Sequence, residues 1–200
     1  MLAFTTPRFG VNQMQVKKKQ GGFSLVELGV VLLIITVLGL VLAPRVQGYM
    51  LKGKVKGASD ELTQAVVRLN ANRTTGSSDF AGATTKELVK VLTPSSAFEL
   101  VDGSTPTVTH KLSNAGGTVT FGPGTLLAAN DAGLLTIGGV DESICQDLAN
   151  SLSATAVSIG VNGTTAKNTA ATPQVPYNSA TATNSCNTGS GNTITLLIRP

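Results

Sequence analysis

One carboxylate stands alone in the most apolar stretch of this chain. Glu27 is the only charged side chain in residues 23–43, a run of 21 residues. An ionised group at membrane depth costs several kcal/mol unless it meets a partner, so it marks a function. Glu27 lies four residues after Phe23, one turn into any helix that starts there. The cations Lys17, Lys18 and Lys19 and the pair Gly21-Gly22 precede it. The chemistry on offer is therefore ion pairing in apolar surroundings. The other reactive side chains form no catalytic constellation. His110 sits in the alternating run Thr107-Val108-Thr109-His110-Lys111 and is expected to face solvent. Asp141 and Glu142 precede a helical stretch and favour its N-terminal dipole. Neither Gly116-Gly117 nor Gly138-Gly139 has the spacing or the following helix of a phosphate loop. With one histidine and no CxxC pair, a metal site lacks donors. No enzymatic activity and no cofactor are expected.

The elements that must position Glu27 are helical. At 1.5 Å per residue, the apolar run makes a helix about 30 Å long, enough to cross a bilayer core. Basic residues ahead of it keep the N-terminus in the cytoplasm. A secretory signal peptide fits badly, because its apolar region is shorter and ends in a small-residue cleavage site. Beyond residue 45 the composition turns mixed, but Leu51, Val55, Ala58, Leu62, Ala65 and Leu69 continue at steps of four and three. That stripe predicts an amphipathic continuation to about Asn72, with Lys52, Lys54, Lys56, Asp60, Glu61 and Arg68 opposite it and Gly76 marking its end. The whole helix would span roughly 75 Å. Gly39, Pro44 and Gly48 interrupt the pattern, and a kink is expected at the proline.

Gly22-Phe23-Ser24-Leu25-Val26-Glu27, with the basic leader before it and the apolar run behind, resembles the processing site of type IV pilins and their relatives. The resemblance implies that a membrane-embedded prepilin peptidase cuts between Gly22 and Phe23 and methylates the new Phe23 amine. It implies a homopolymer built through the N-terminal helices, with Glu27 meeting the Phe23 amine of a neighbouring copy. It also implies that the segment from Gly39 to Pro44 unwinds in assembled filaments, with a bent helix in the free subunit as the milder alternative. The implied partners are the peptidase, the inner-membrane pilus assembly machinery and the membrane itself. The implied location is the inner membrane in a single pass, then the extracellular filament.

Whole-chain numbers agree with export. The formal charge of +4 and pI of 9.2 come from the leader, where Arg8, Lys17, Lys18 and Lys19 face no acid. The rest holds 11 basic and 11 acidic residues, which gives no support for a nucleic-acid surface. Cys145 and Cys186 are 41 residues apart, and an exported chain can keep them as a disulfide. In the resemblance this is the disulfide-bounded region near the C-terminus. Its size and the Cys-Gln-Asp-Leu context look like the type IVb branch, as does the 22-residue leader, whereas Phe23 and Pro44 are more usual in the other branch.

The remaining sequence reads as a head. Thr84 or Thr85 is expected to cap a short helix at 86–92, inside a connector covering 74–100. Short β-rich runs follow at 107–112, 117–121 and 134–137, then a helix at 142–152 capped by Asp141, and strands at 154–161 and 193–198. Residues 162–191 are almost entirely Thr, Asn, Ala, Ser, Gly and Pro, and lack the apolar surface to order themselves. The expected class is α+β, the type IV pilin fold: a long N-terminal helix, its hydrophobic half protruding, packed on a C-terminal antiparallel sheet. The expected division is a removed leader at 1–22, an apolar helix at 23–44, its amphipathic continuation at 45–73, and a head at 74–200. The expected function is a filament subunit, a major pilin. A minor pilin or secretion pseudopilin is the alternative within the family. A single-pass anchored binding domain that never polymerises is the alternative from another class.

Overall fold

The structure is a computed structural model that describes residues 22, 24–71, 73 and 80–199. The expected leader up to residue 21, Phe23 and the helix-ending Gly76 lie outside the described residues. The chain divides into two units, Met1–Leu42 and Ala43–Pro200.

In the first unit the described chain is helical from Leu25 onward, the start of α1 (Leu25–Ala71). Residues Leu25–Leu42 have a mean hydropathy of 2.9, and none is buried within the chain. A helix that is apolar all round and touches no core of its own needs lipid or other chains around it.

In the second unit α1 continues to Ala71, and the expected stripe is its buried face. Leu51, Val55, Ala58, Leu62, Ala65 and Leu69 are all buried, with Val66 added. Gly39, Pro44 and Gly48 do not end the helix, which runs through all three. Then come α2 (Thr85–Val91), β1 (Phe98–Val101), β2 (Thr107–His110), β3 (Gly117–Gly124), β4 (Ala132–Val140), α3 (Glu142–Ser151), β5 (Ser158–Val161), β6 (Thr164–Asn168), α4 (Ser179–Ser185) and β7 (Asn192–Ile198). The seven strands form one antiparallel sheet in the order β1-β2-β3-β4-β7-β5-β6. The C-terminal strand thus lies inside the sheet. Leu196 faces Leu135 on one side and Ile159 on the other, and Ile194 faces Ile137 and Val161. These side chains are wholly buried, and each buried aliphatic side chain stabilises by about 1.5–3 kcal/mol. Alternation along β7 sends Thr193, Thr195 and Leu197 to the other face, which is only partly covered.

Three expectations need correction. His110 is not solvent-facing but buried, at 1% exposure. Alternation places it two residues after Val108, on the same inward face of β2, so position outweighs polarity here. Its ring rests against Gly117, where an added Cβ would collide with it. Residues 162–191 are not without order: they hold β6 and α4, and bury Ala166 and Ala182. Small side chains suffice there because asparagines bond the backbone. Asn168 Oδ1 accepts from Ala170 and Ala171 N–H, and Asn178 Oδ1 accepts from Thr181 N–H to cap α4. The connector expected over 74–100 ends in β1, which runs on to Val101 and buries Phe98.

Candidate assembly determinants

Two regions carry the chemistry singled out in the sequence, the start of α1 and the disulfide-bounded part of the head.

Ser24 opens α1. Its hydroxyl accepts from Val26 N–H at 3.3 Å and its carbonyl accepts from Leu28 N–H at 3.1 Å. Serine is a favoured residue at this position because it satisfies donors that the first turn leaves free. Glu27 follows in the first turn, where a carboxylate complements the helix dipole. Its side chain is exposed, and so are the apolar side chains from Leu25 to Leu42. Thr36, the only hydroxyl deeper in the run, donates to Leu32 O at 2.7 Å. That bond leaves no hydrogen-bond donor on the hydroxyl unsatisfied in an apolar medium. Around Gly39 there is open space: apart from its own helix backbone and chain neighbours, no heavy atom lies within 4 Å of where a Cβ would be. Gly22 is described and exposed, but Phe23, its expected cleavage partner, lies outside the described residues.

In the head, Asp141 caps α3 by accepting from Ser143 N–H at 3.0 Å and from the Ser143 hydroxyl at 2.7 Å. One turn on, Cys145 is fully buried and bonded to Cys186, with Cα atoms 6.1 Å apart. Cys186 ends α4, so the bond fastens that helix to α3. A polar clasp lies beside it. Asn192, fully buried, accepts from Asn187 N–H and from Asn162 Nδ2, both at 2.7 Å, and donates to Asn187 O at 2.9 Å. Lys52 on α1 meets Asp147 on α3 at 3.7 Å, a half-exposed pair worth little to stability.

Several of the charged groups are built into the structure. Arg73 pairs with Glu87 and stacks over the Phe80 ring, 4.5 Å from its centroid. Asp131 is buried and accepts backbone N–H bonds from Leu126, Leu127 and Ala128 at 2.7, 3.0 and 3.1 Å. Burial pushes its carboxyl up, but these three donors and the charge of Arg199 outweigh that and hold it below the ordinary value. Lys167 donates to the carbonyls of Ser153 and Ala156, both at 2.5 Å, and burial lowers its ammonium. Among the described residues no three His, Cys, Asp or Glu side chains gather where a metal could sit.

Neither Asp131 nor the Asn162–Asn192 clasp was singled out from the sequence. Asn162 had a usable signal, since Asn-Gly between two short β-rich runs marks a tight hairpin. Asp131 had only its turn composition.

The family model described as PilS N terminal matches residues 56–199, from the middle of α1 to the end of β7. No curated protein matches the chain. Among solved structures, the crystal structure of a type IVb pilin from Salmonella typhi is similar. It shares 14% identity and a TM-score of 0.48, over 74% of this chain and 99% of that one.

Proposed function

The chain belongs to the PilS N-terminal family and is a type IV pilin-like structural subunit, and on that premise we propose that it polymerises into a pilus as the major pilin. A prepilin peptidase removes residues 1–22 and methylates the amine of Phe23. The mature subunit waits in the inner membrane, held by the apolar part of α1, and the assembly machinery then moves it into a growing extracellular filament.

The observation that carries this reading is the exposed apolar segment Leu25–Leu42, whose first turn holds a single carboxylate, Glu27. Passing from lipid to a bundle of like helices exchanges one apolar medium for another, so burial alone drives little. Packing and charge must select the assembled register. One carboxylate meeting one amine per subunit does so, because a shifted copy leaves both charges unpaired in a medium where that costs several kcal/mol. Between Phe23 and Arg45 the mature helix carries no other charge, so the Phe23 amine is the partner that the sequence supplies. Gly39 and Pro44 give α1 a place where helical bonding is cheaply lost, which suits a filament that unwinds there. The disulfide and the large polar region around it suit a head exposed on a filament surface, and so favour a major pilin over a minor pilin or pseudopilin.

Intact mass of the membrane-extracted protein tests the maturation step. The expected species begins at Phe23 and carries one added methyl group. A full Met1–Pro200 chain in cells with a working peptidase would contradict the reading and favour a permanently anchored binding domain.

A further inference from the structure

Asn162-Gly163 is the only Asn-Gly pair in the sequence, and it forms the turn between β5 and β6. Such pairs are prone to an intramolecular reaction because glycine offers its backbone nitrogen without a side chain in the way. The Gly163 nitrogen attacks Asn162 Cγ, the Cγ–Nδ2 bond breaks, and ammonia leaves with a proton from the attacking nitrogen. Water then opens the cyclic imide at either carbonyl, giving aspartate or isoaspartate. The net change is water in and ammonia out.

We propose that Asn192 clamps the Asn162 carboxamide away from Gly163, and that Asn162 is a deamidation site whose conversion releases the loop carrying Cys186.

The geometry is specific. Asn162 and Gly163 hold φ angles of 49° and 82°, a left-handed pair that suits a tight hairpin. Asn162 Nδ2 donates to Ser185 O and to Asn192 Oδ1, both at 2.7 Å, while Asn162 Oδ1 accepts from Thr193 N–H at 2.8 Å. Both amide hydrogens and the carbonyl are thus engaged with β7 and the last residue of α4. Turning Cγ toward the Gly163 nitrogen breaks all three bonds. Asn192 cannot follow that rotation. Its Oδ1 also takes Asn187 N–H, and its Nδ2 faces the carbonyls of Asn187, Val140 and Gly189 at 2.9, 3.2 and 3.3 Å. Flipping the Asn192 amide would set donor against donor and acceptor against acceptor.

The product is the reason the site matters. A carboxylate at position 162 only accepts hydrogen bonds, yet it would face two acceptors, Ser185 O and Asn192 Oδ1. Ser185 directly precedes Cys186. Deamidation therefore breaks the clasp at the residue next to the disulfide.

The test uses the full-length protein in detergent micelles at neutral pH, with conversion at Asn162 followed by peptide mass mapping. Native protein is expected to convert at least about tenfold more slowly than the urea-unfolded chain, because reaction requires local opening. Asn192→Leu should lose most of that protection while amide exchange at Ile137 and Leu196, in the central strands, stays slow. Equal rates in native and unfolded protein, or slow conversion in a folded Asn192→Leu protein, would overturn the proposal. The parent protein gives a second reading that needs no variant. Across sub-denaturing urea, conversion should rise in step with hydrogen exchange at the Asn187 amide, which Asn192 holds. Conversion that proceeds while that amide remains protected would also overturn it.

Discussion

His110 reaches across β3 to Gly138 of β4, with Nε2 2.8 Å from the carbonyl oxygen. Its other nitrogen, Nδ1, accepts from Leu112 N–H at 3.2 Å, so the ring is neutral with its hydrogen on Nε2. Burial holds the imidazole below its ordinary value of 6.5, against a smaller upward pull from the Gly138 carbonyl. The unfolded chain therefore takes up a proton before the folded one as pH falls. Stability from this group is full above about 6.5 and declines as pH drops below that value toward the folded pKa. Urea unfolding across that range should show the decline in the parent and lose it in His110→Leu. That variant should also be less stable at neutral pH by roughly 1–3 kcal/mol for each backbone group it strands.

Asp131 predicts the same direction of pH effect in a separate, more acidic window. Its folded pKa lies below the ordinary 3.8, so its contribution is full above that value and is lost as pH falls through the folded pKa. Asp131→Asn keeps one acceptor oxygen for three N–H donors, and should destabilise on the order of 1–3 kcal/mol at neutral pH. The same variant should unfold with a weaker acid dependence. An unchanged urea midpoint would show that the loop from Leu126 to Asp131 does not depend on the carboxylate.

Breaking the Cys145–Cys186 bond frees a loop with a sequence separation of 41 residues. Loop-closure entropy puts the loss at roughly 4 kcal/mol in stability. Cys145→Ser with Cys186→Ser should lower the unfolding midpoint accordingly and reduce the amount of subunit that accumulates. Membrane insertion should hold, because Leu25–Leu42 is untouched. Equal stability with and without the bond would mean that the Asn162–Asn192 clasp alone closes this region.

What could be read from the sequence depended on the length of each signal. The stripe from Leu51 to Leu69 extends over five turns, and each of its members is buried. Asp141 preceded a clear helical run, and it caps α3. β1 is four residues long and offers a single buried aromatic, Phe98, too little for a period to emerge. In residues 162–191 hydrophobicity was the wrong quantity to follow. Order there comes from asparagine side chains replacing backbone partners, and that leaves no apolar pattern. His110 is polar, and its place two residues after Val108, on the inward face of β2, decides its burial. For Glu27, chain position and apolar surroundings are legible, whereas the counter-charge proposed for it, the Phe23 amine of another copy, lies outside any single chain.

Surface filaments formed by Glu27→Ala subunits test the central claim most directly. The substitution leaves the Gly22-Phe23 junction and the apolar run intact, so processing and membrane insertion should continue at parent levels. Each Phe23 amine entering the filament core would then lack its counter-charge, at a cost on the order of 3–5 kcal/mol per subunit. Filaments counted by electron microscopy, set against the membrane pool of processed subunit, are expected to fall sharply while that pool persists. Normal filament numbers from processed Glu27→Ala subunits would contradict the account.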